Sequence, residues 1–165
     1  MTIYFSLEGV LVDQKIEWLQ GSKEVFEGVS DFARSIGWNV KILAKYNKKK
    51  PESKSEIYDW CIKNLGLSKS KIKPVPNIED KLKYANPETF LIDPKIEIVN
   101  GFMYSGGTAI LFDGLATGVK KIKFYNLFRE SCVSRHHDTP TTASGSHGSD
   151  MKSFFPFFAD PLKWK

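Results

Sequence analysis

Apolar residues along the chain fall into two patterns, short continuous runs and longer stretches with helical spacing. A continuous run predicts a strand buried on both faces, whereas apolar positions three and four residues apart predict an amphipathic helix. The predicted strands are 2–7, 39–44, 71–75, 89–93 and 108–112. The predicted helices are 22–36, 53–65 and a short helix at 78–85, with a helix or helix–strand mixture at 119–132. Ser22 is a candidate N-cap, and Gly37 and Gly66 are candidate stop signals.

The order of these elements, β-α-β-α-β-α-β-β, predicts an α/β protein. Continuous apolar strands joined by helical crossovers are typical of a parallel sheet covered on both faces. We therefore expect a Rossmann-like three-layer fold with a central, mostly parallel sheet. Ligands of such sheets bind at the carboxyl ends of the strands. Those ends are Ser6-Leu7-Glu8, Ala44-Lys45, Pro74-Val75 and Asp93-Pro94.

The chain of 165 residues is long enough for one domain with a single core. We expect an α/β domain over residues 1–130. Residues 131–150 include the run HHDTPTTASGSHGSD, which is small and polar and predicts a flexible loop. Residues 151–165 are rich in Phe and Trp, so we expect this segment to pack on the domain or on a partner.

The charge of the chain indicates which kinds of partner it could bind. The formal net charge is +5 and the excess is almost entirely lysine, since arginine occurs only three times. Lysine clusters attract polyanions without sequence preference, which makes non-specific nucleic-acid binding an alternative function. Its candidate residues are Lys48, Lys49, Lys50, Lys120, Lys121 and Lys123. The sequence contains no run of about 18 apolar residues, so no membrane span is predicted. The first residues lack the pattern of a signal peptide, and we therefore expect a cytoplasmic protein.

Five segments, in order, resemble motifs of the haloacid dehalogenase-like (HAD) superfamily, in its small capless or phage-type phosphatase branch. They are IYFSLEGVLVD, EGVSDFARSIGWNVKILA, WCIKNLGL, KLKYANPETFLID and GGTAILFDG. The resemblance covers roughly residues 2–113. It implies a site in which a first aspartate attacks phosphorus, a second aspartate acts as acid and base, a hydroxyl and a lysine hold the phosphoryl oxygens, and an acidic pair holds Mg²⁺.

Several positions that match this site carry different residues. Ser6 stands in place of the nucleophile, Glu8 in place of the acid/base, and Ala44 in place of the phosphate-binding hydroxyl. Asp93 keeps the first acidic position, whereas Pro94 replaces the second. A hydroxyl is a poor nucleophile without an adjacent base, so the resemblance implies degenerate catalytic motifs.

A few positions keep the residue type that the family uses. Lys81 or Lys83 can fill the lysine role, and Gly9 keeps the turn, which makes these three the candidate phosphate-binding residues. Asp93 and Glu8 are the candidates for weak magnesium binding, and we expect no cofactor unless some activity survives.

These observations favour a catalytically inactive HAD-like pseudo-phosphatase that acts by binding, with a protein partner. The resemblance also implies a phage-encoded interaction or virion protein, located in the host cytoplasm or the virion. The alternatives are an active magnesium-dependent phosphatase or nucleotidase with an atypical site, and the non-specific nucleic-acid binder described above.

Overall fold

The computed structural model describes residues 1–114 and 118–136, and its contacts divide the chain into two compact units, Met1–Leu115 and Ala116–Lys165. The strands are β1 (Thr2–Ser6), β2 (Asn39–Lys45), β3 (Ile72–Val75), β4 (Thr89–Asp93) and β5 (Thr108–Leu111). The α-helices are α1 (Ser22–Ser35), α2 (Glu52–Leu65), α3 (Ile96–Tyr104) and α4 (Gly118–His136), and two 3₁₀ helices span Lys69–Lys71 and Ile78–Tyr84.

The five strands form one parallel sheet in the order β3-β2-β1-β4-β5. β1 is central and pairs with both β2 and β4, so that Phe5 lies beside Ile42 on one side and Ile92 on the other. This arrangement confirms the predicted α/β, Rossmann-like three-layer fold.

Alternate residues of the strands point to opposite faces of the sheet and build two halves of the core. On one face the Phe5 ring packs edge-on against Phe26 of α1, with 5.2 Å between ring centroids. On the other face Tyr4 and Leu91 belong to a buried cluster that includes Phe102 of α3. Both faces are therefore covered by helices, which explains why the strand sequences lack polar alternation.

The helix α3 is missing from the predicted order, which ran directly from the fourth strand to the fifth. Its sequence, IEIVNGFMY, contains β-branched residues, Asn and Gly, all of which weaken a helical signal. Gly101 packs closely there, since an added Cβ would lie 3.1 Å from a methyl carbon of Leu82. A parallel β4–β5 pair requires a crossover connection, and α3 supplies it.

The remaining elements differ from the predictions mainly at their ends. Ser22 is not the N-cap of α1, which is Gly21; the Ser22 hydroxyl instead bonds the carbonyl oxygens of Leu11 and Leu19. The segment predicted as a helix or helix–strand mixture is entirely helical within α4.

The C-terminal predictions fall largely outside the described residues. Residues 131–136, predicted as the start of the flexible loop, belong to α4. The rest of that loop, 137–150, and the aromatic segment 151–165 lie outside the described ranges. Within the described ranges, no helix combines the length and the apolar character that crossing a membrane requires.

Candidate functional site

The ends of β1 and β4 bring two polar side chains together at the carboxyl edge of the sheet. Ser6 is the last residue of β1 and Asp93 is the last residue of β4, and the two strands are hydrogen-bonded neighbours. Lys81 reaches the same point from the 3₁₀ helix Ile78–Tyr84. The sequence therefore predicted correctly that residues of the first and fourth strands converge, although they are 87 positions apart.

These three residues form a closed hydrogen-bonded group, which we call the Ser6–Lys81–Asp93 cluster. The Lys81 ammonium donates to Asp93 Oδ2 at 2.7 Å and to Ser6 Oγ at 2.8 Å. The Ser6 hydroxyl also donates to Asp93 Oδ2. The other carboxylate oxygen, Oδ1, accepts the backbone N–H of Lys95 at 2.8 Å. Both oxygens of Asp93 are thus engaged by groups of the protein itself.

The cluster is buried. Ser6 and Asp93 have no exposed surface, and Lys81 is 4% exposed. Burial lowers the pKa of the Lys81 ammonium, and the neighbouring Asp93 carboxylate only partly offsets this by its charge and its hydrogen bond. Glu8 contributes a smaller effect in the same direction as Asp93, and Lys95 opposes it. The cost of burying the ammonium and the carboxylate is therefore offset mainly by the attraction between them.

A local cap positions the helix that carries Lys81. The backbone N–H and the side-chain amide of Asn77 donate to Asp80 Oδ2, at 3.1 and 3.0 Å, in a capping box. The second candidate lysine, Lys83, turns to the surface, where its ammonium lies 2.5 Å from Asp80 Oδ1 and is 76% exposed on its side chain. This pairing raises the pKa of Lys83 and lowers that of Asp80. Of the two candidates, only Lys81 belongs to the cluster.

The turn after β1 is shaped by Gly9 and Pro94. Gly9 has φ of +81°, a left-handed conformation that is unfavourable for residues with a Cβ. A Cβ at this position would also lie 2.7 Å from Pro94 Cγ. Pro94 therefore packs against the turn. The left-handed backbone and this close approach both favour glycine at position 9.

Residues 8–18 form a small flap over this edge of the sheet. Val12 makes isolated β-bridges with Glu8 and with Trp18. The Trp18 ring packs against Trp60 of α2, with 4.9 Å between ring centroids. The flap is thus attached to a helix at its far end, while Glu8 at its near end is exposed.

Two cavities open at the same edge, next to the cluster. One, of about 390 Å³, is lined by residues that include Glu8, Asp13, Ala44, Lys45, Asn47 and Glu56. Ala44 offers this cavity only a methyl group. The other, of about 450 Å³, we call the basic cleft; its lining includes Glu8, Lys45, Tyr46, Lys48, Lys49 and Asn77. Neither of these two cavities is lined by a residue of the cluster.

Only some of the lysines that were predicted from the sequence to bind nucleic acid lie in the basic cleft. Lys48 and Lys49 line the basic cleft, whereas Lys50 is exposed but is not among its lining residues. Lys123 is exposed on α4, and the side chains of Lys120 and Lys121 lie outside what the structure describes. Lys45 was predicted only as part of the carboxyl end of β2, a ligand-binding position, and the cleft residues Tyr46 and Asn77 were not predicted.

The donor set at this edge does not fit the magnesium site that the family resemblance implies. Mg²⁺ is usually held by one or two carboxylates and retains several waters. Here Ser6 is neutral, and Asp93 has an ammonium 2.7 Å from one oxygen and an N–H on the other. Among the described residues, no group of three or more His, Cys, Asp or Glu could hold a metal ion.

Comparison with known proteins does not identify the chain. No protein-family profile matches it, and no curated protein is significantly similar to it.

Proposed function

We propose that this protein is a HAD-like pseudo-phosphatase that acts by binding and does not transfer phosphoryl groups. The observation that carries the proposal is the closed Ser6–Lys81–Asp93 cluster. The groups that an active site of this family would direct at phosphate and metal are hydrogen-bonded to one another and are buried.

The hydrogen-bond directions argue against nucleophilic chemistry at Ser6. An attacking hydroxyl needs a neighbouring base that takes its proton. As the ammonium ion paired with Asp93, Lys81 donates to Ser6 and cannot take its proton, and the hydroxyl hydrogen-bonds to Asp93. Asp93 could act as a base only by giving up its ion pair with Lys81. With no exposed surface on Ser6, a substrate would also have to displace the packing around it.

The lysine is equally unsuited to holding a phosphoryl group. Its ammonium is 2.7 Å from a carboxylate that shares its burial. Transferring that ammonium to a ligand would leave Asp93 charged and uncompensated, which costs several kcal/mol, on the order of 3–5. An intact enzyme of this family would place a second carboxylate and Mg²⁺ at this point to balance the charges, and Ser6 and Pro94 supply neither.

The surface beside the cluster supports the binding half of the proposal. The carboxyl edge of the sheet, the usual ligand position of such folds, keeps two cavities although the reactive groups lie beneath the surface. In a phage or accessory genome, such a protein would act as an interaction protein, in the host cytoplasm or in the virion.

Phosphatase assays with a restored variant test this proposal. Purified protein is incubated with Mg²⁺ and with p-nitrophenyl phosphate or nucleoside monophosphates, beside a variant carrying Ser6→Asp, Glu8→Asp, Ala44→Thr and Pro94→Asp. We expect no phosphate release from the natural protein. We also expect Mg²⁺ to raise the melting temperature of the variant only, because only the variant presents several carboxylates to the metal.

The opposite result is equally clear. Magnesium-dependent turnover by the natural protein that is abolished by Ser6→Ala or Asp93→Asn would show that the cluster is catalytic. Turnover that survives both substitutions would be assigned to a contaminating phosphatase and would leave the natural site inactive.

A further inference from the structure

The basic cleft has the features of a built binding site. It is formed by the loop that follows β2 together with residues that follow β3, so two neighbouring strands fix its walls. The backbone N–H of Tyr46 donates to the carbonyl of Val75 at 3.0 Å, which joins the two walls directly. Its volume of about 450 Å³ falls in the range of about 300–1,000 Å³ typical of small-ligand sites.

Four hydrogen bonds hold the loop that carries the lysines. The Asn47 backbone N–H donates to Ser53 Oγ, and that hydroxyl donates back to the Asn47 carbonyl. The N–H of Lys49 donates to Asn47 Oδ1, and the N–H of Lys50 donates to the Asn47 carbonyl. The backbone of the loop is therefore preorganised, and a ligand does not have to order it on binding.

The charge of the cleft selects anions. Lys45, Lys48 and Lys49 supply three ammonium groups, against the single carboxylate of Glu8 among the lining residues, which leaves a net charge of +2. All three lysines are exposed, so their ammonium groups are free to approach a ligand. Ammonium groups act on phosphates as point charges and do not read base edges, so this recognition is independent of sequence.

Tyr46 adds an aromatic surface between these charges. It lines the cleft and is half-buried, and the Lys54 ammonium lies 5.6 Å from its ring centroid. Aromatic rings flanked by positive charge are the usual platforms on which proteins stack the bases of single strands. A duplex keeps its bases stacked internally and would meet only the charges.

We propose that the basic cleft binds single-stranded nucleic acid, with phosphates against Lys45, Lys48 and Lys49 and one base against Tyr46. This inference rests on the proposed function and deepens it. It names the class of ligand that the protein would bind without hydrolysing its phosphates. The site includes two of the six lysines suggested by sequence clustering, Lys48 and Lys49, and adds Lys45.

Fluorescence anisotropy with labelled 12-nucleotide strands tests the proposal. The probes are oligo-dT carrying a 5′-phosphate, an abasic strand of equal charge, and a duplex of equal length. Because three lysines contact phosphate, affinity for oligo-dT should fall about 20-fold between 50 and 200 mM salt, from a slope of about −0.7 per contact. The abasic strand and a Tyr46→Leu variant should each bind about 5- to 150-fold more weakly.

Charge variants provide matched controls. Lys48→Gln/Lys49→Gln should lose most of the binding, whereas Lys63→Gln/Lys69→Gln changes net charge equally at residues that do not line the cleft and should bind normally. Glu8→Gln removes the one opposing carboxylate and should strengthen binding. Circular dichroism spectra of all variants establish that each is folded.

Several outcomes would overturn the inference. They are absence of binding at 50 mM salt, equal losses in both double variants, equal affinity for the abasic strand, and duplex binding as tight as that of the single strand. Binding of poly-glutamate that competes as well as oligo-dT would indicate an acidic-protein site instead. Mass spectrometry of the oligo-dT after incubation shows whether it keeps its 5′-phosphate. Loss of the phosphate would contradict the pseudo-phosphatase function but not the binding of single strands, so the two proposals can fail separately.

Discussion

Substituting Lys81 by methionine should reveal how much the buried ion pair matters to stability. The Lys81 ammonium and Asp93 Oδ2 are 2.7 Å apart, which at an effective dielectric constant of about 20 corresponds to a gross attraction of about 6 kcal/mol. Desolvation of both groups offsets much of this. What the substitution measures is the cost of leaving Asp93 buried without its counter-charge, and we expect a loss of about 3–5 kcal/mol.

The assay is urea unfolding followed by tryptophan fluorescence and circular dichroism. With a slope of about 2 kcal/mol per molar urea, a loss of about 4 kcal/mol moves the midpoint down by about 2 M. The control is Lys83→Met, since Lys83 is also paired with an aspartate, Asp80, but its side chain is 76% exposed. We expect no resolvable change in the midpoint of this control, because exposed ion pairs contribute little.

A double-mutant cycle separates the pair from its surroundings. Asp93→Asn removes the negative charge and keeps one side-chain oxygen, which can still accept the backbone N–H of Lys95, while its amide NH2 takes the place of the oxygen that accepts from Ser6. If the ion pair dominates, Lys81→Met/Asp93→Asn should be at least about 2 kcal/mol more stable than the sum of the single losses predicts. Simple additivity, or equal destabilisation by Lys81→Met and Lys83→Met, would refute the idea that the cluster is held by mutual compensation of charge.

Three further outcomes follow from other parts of the fold. Gly9→Ala should lower the urea midpoint more than Gly37→Ala, because both glycines have positive φ but only at Gly9 would the new methyl meet another residue, Pro94. Pro94→Ala should restore part of this difference, and equal losses of stability in the two glycine variants would exclude the contact. Burial raises the pKa of the Cys61 thiol from 9.0 to about 12, so the unfolded chain loses this proton first. Unfolding free energy should therefore fall by up to about 1.4 kcal/mol per pH unit between pH 9 and about 12, relative to Cys61→Ala; parallel pH profiles would contradict this. Asn77→Ala should cost about 1 kcal/mol through loss of the capping box, and an unchanged midpoint would show that the cap is dispensable.

The sheet and the meeting of its strand ends could be predicted because they depend on local sequence patterns. Continuous apolar runs specify strands buried on both faces, and parallel strands necessarily share one carboxyl edge. Ser6 and Asp93 each end such a run, so their proximity follows from topology. By contrast, α3 was missed because its nine residues include Asn and Gly, and the burial of Phe102 that supports the helix is a tertiary contact.

The identity of the buried lysine and the basic cleft could not be predicted because both depend on tertiary placement. Lys81 and Lys83 are two positions apart in a polar segment, and only the orientation of the 3₁₀ helix determines which one enters the core. The cleft joins Tyr46 to Asn77 across two strands, which no local pattern records. Clustering of lysines identified Lys48 and Lys49 but could not show that Lys45 belongs with them.

The central position of β1 has a consequence for how the chain folds during synthesis. β1 is made first, yet one of its two neighbours is β4, which ends at residue 93. Until the ribosome has released that segment, β1 is an edge strand. Its apolar residues Ile3 and Phe5 then have β2 beside them on one edge and no strand beside them on the other. Exposed apolar edges promote association between chains, and contacts so distant in sequence form slowly. Nascent chains stalled before β4 should therefore aggregate or bind chaperones, and those that extend past α3 should escape both.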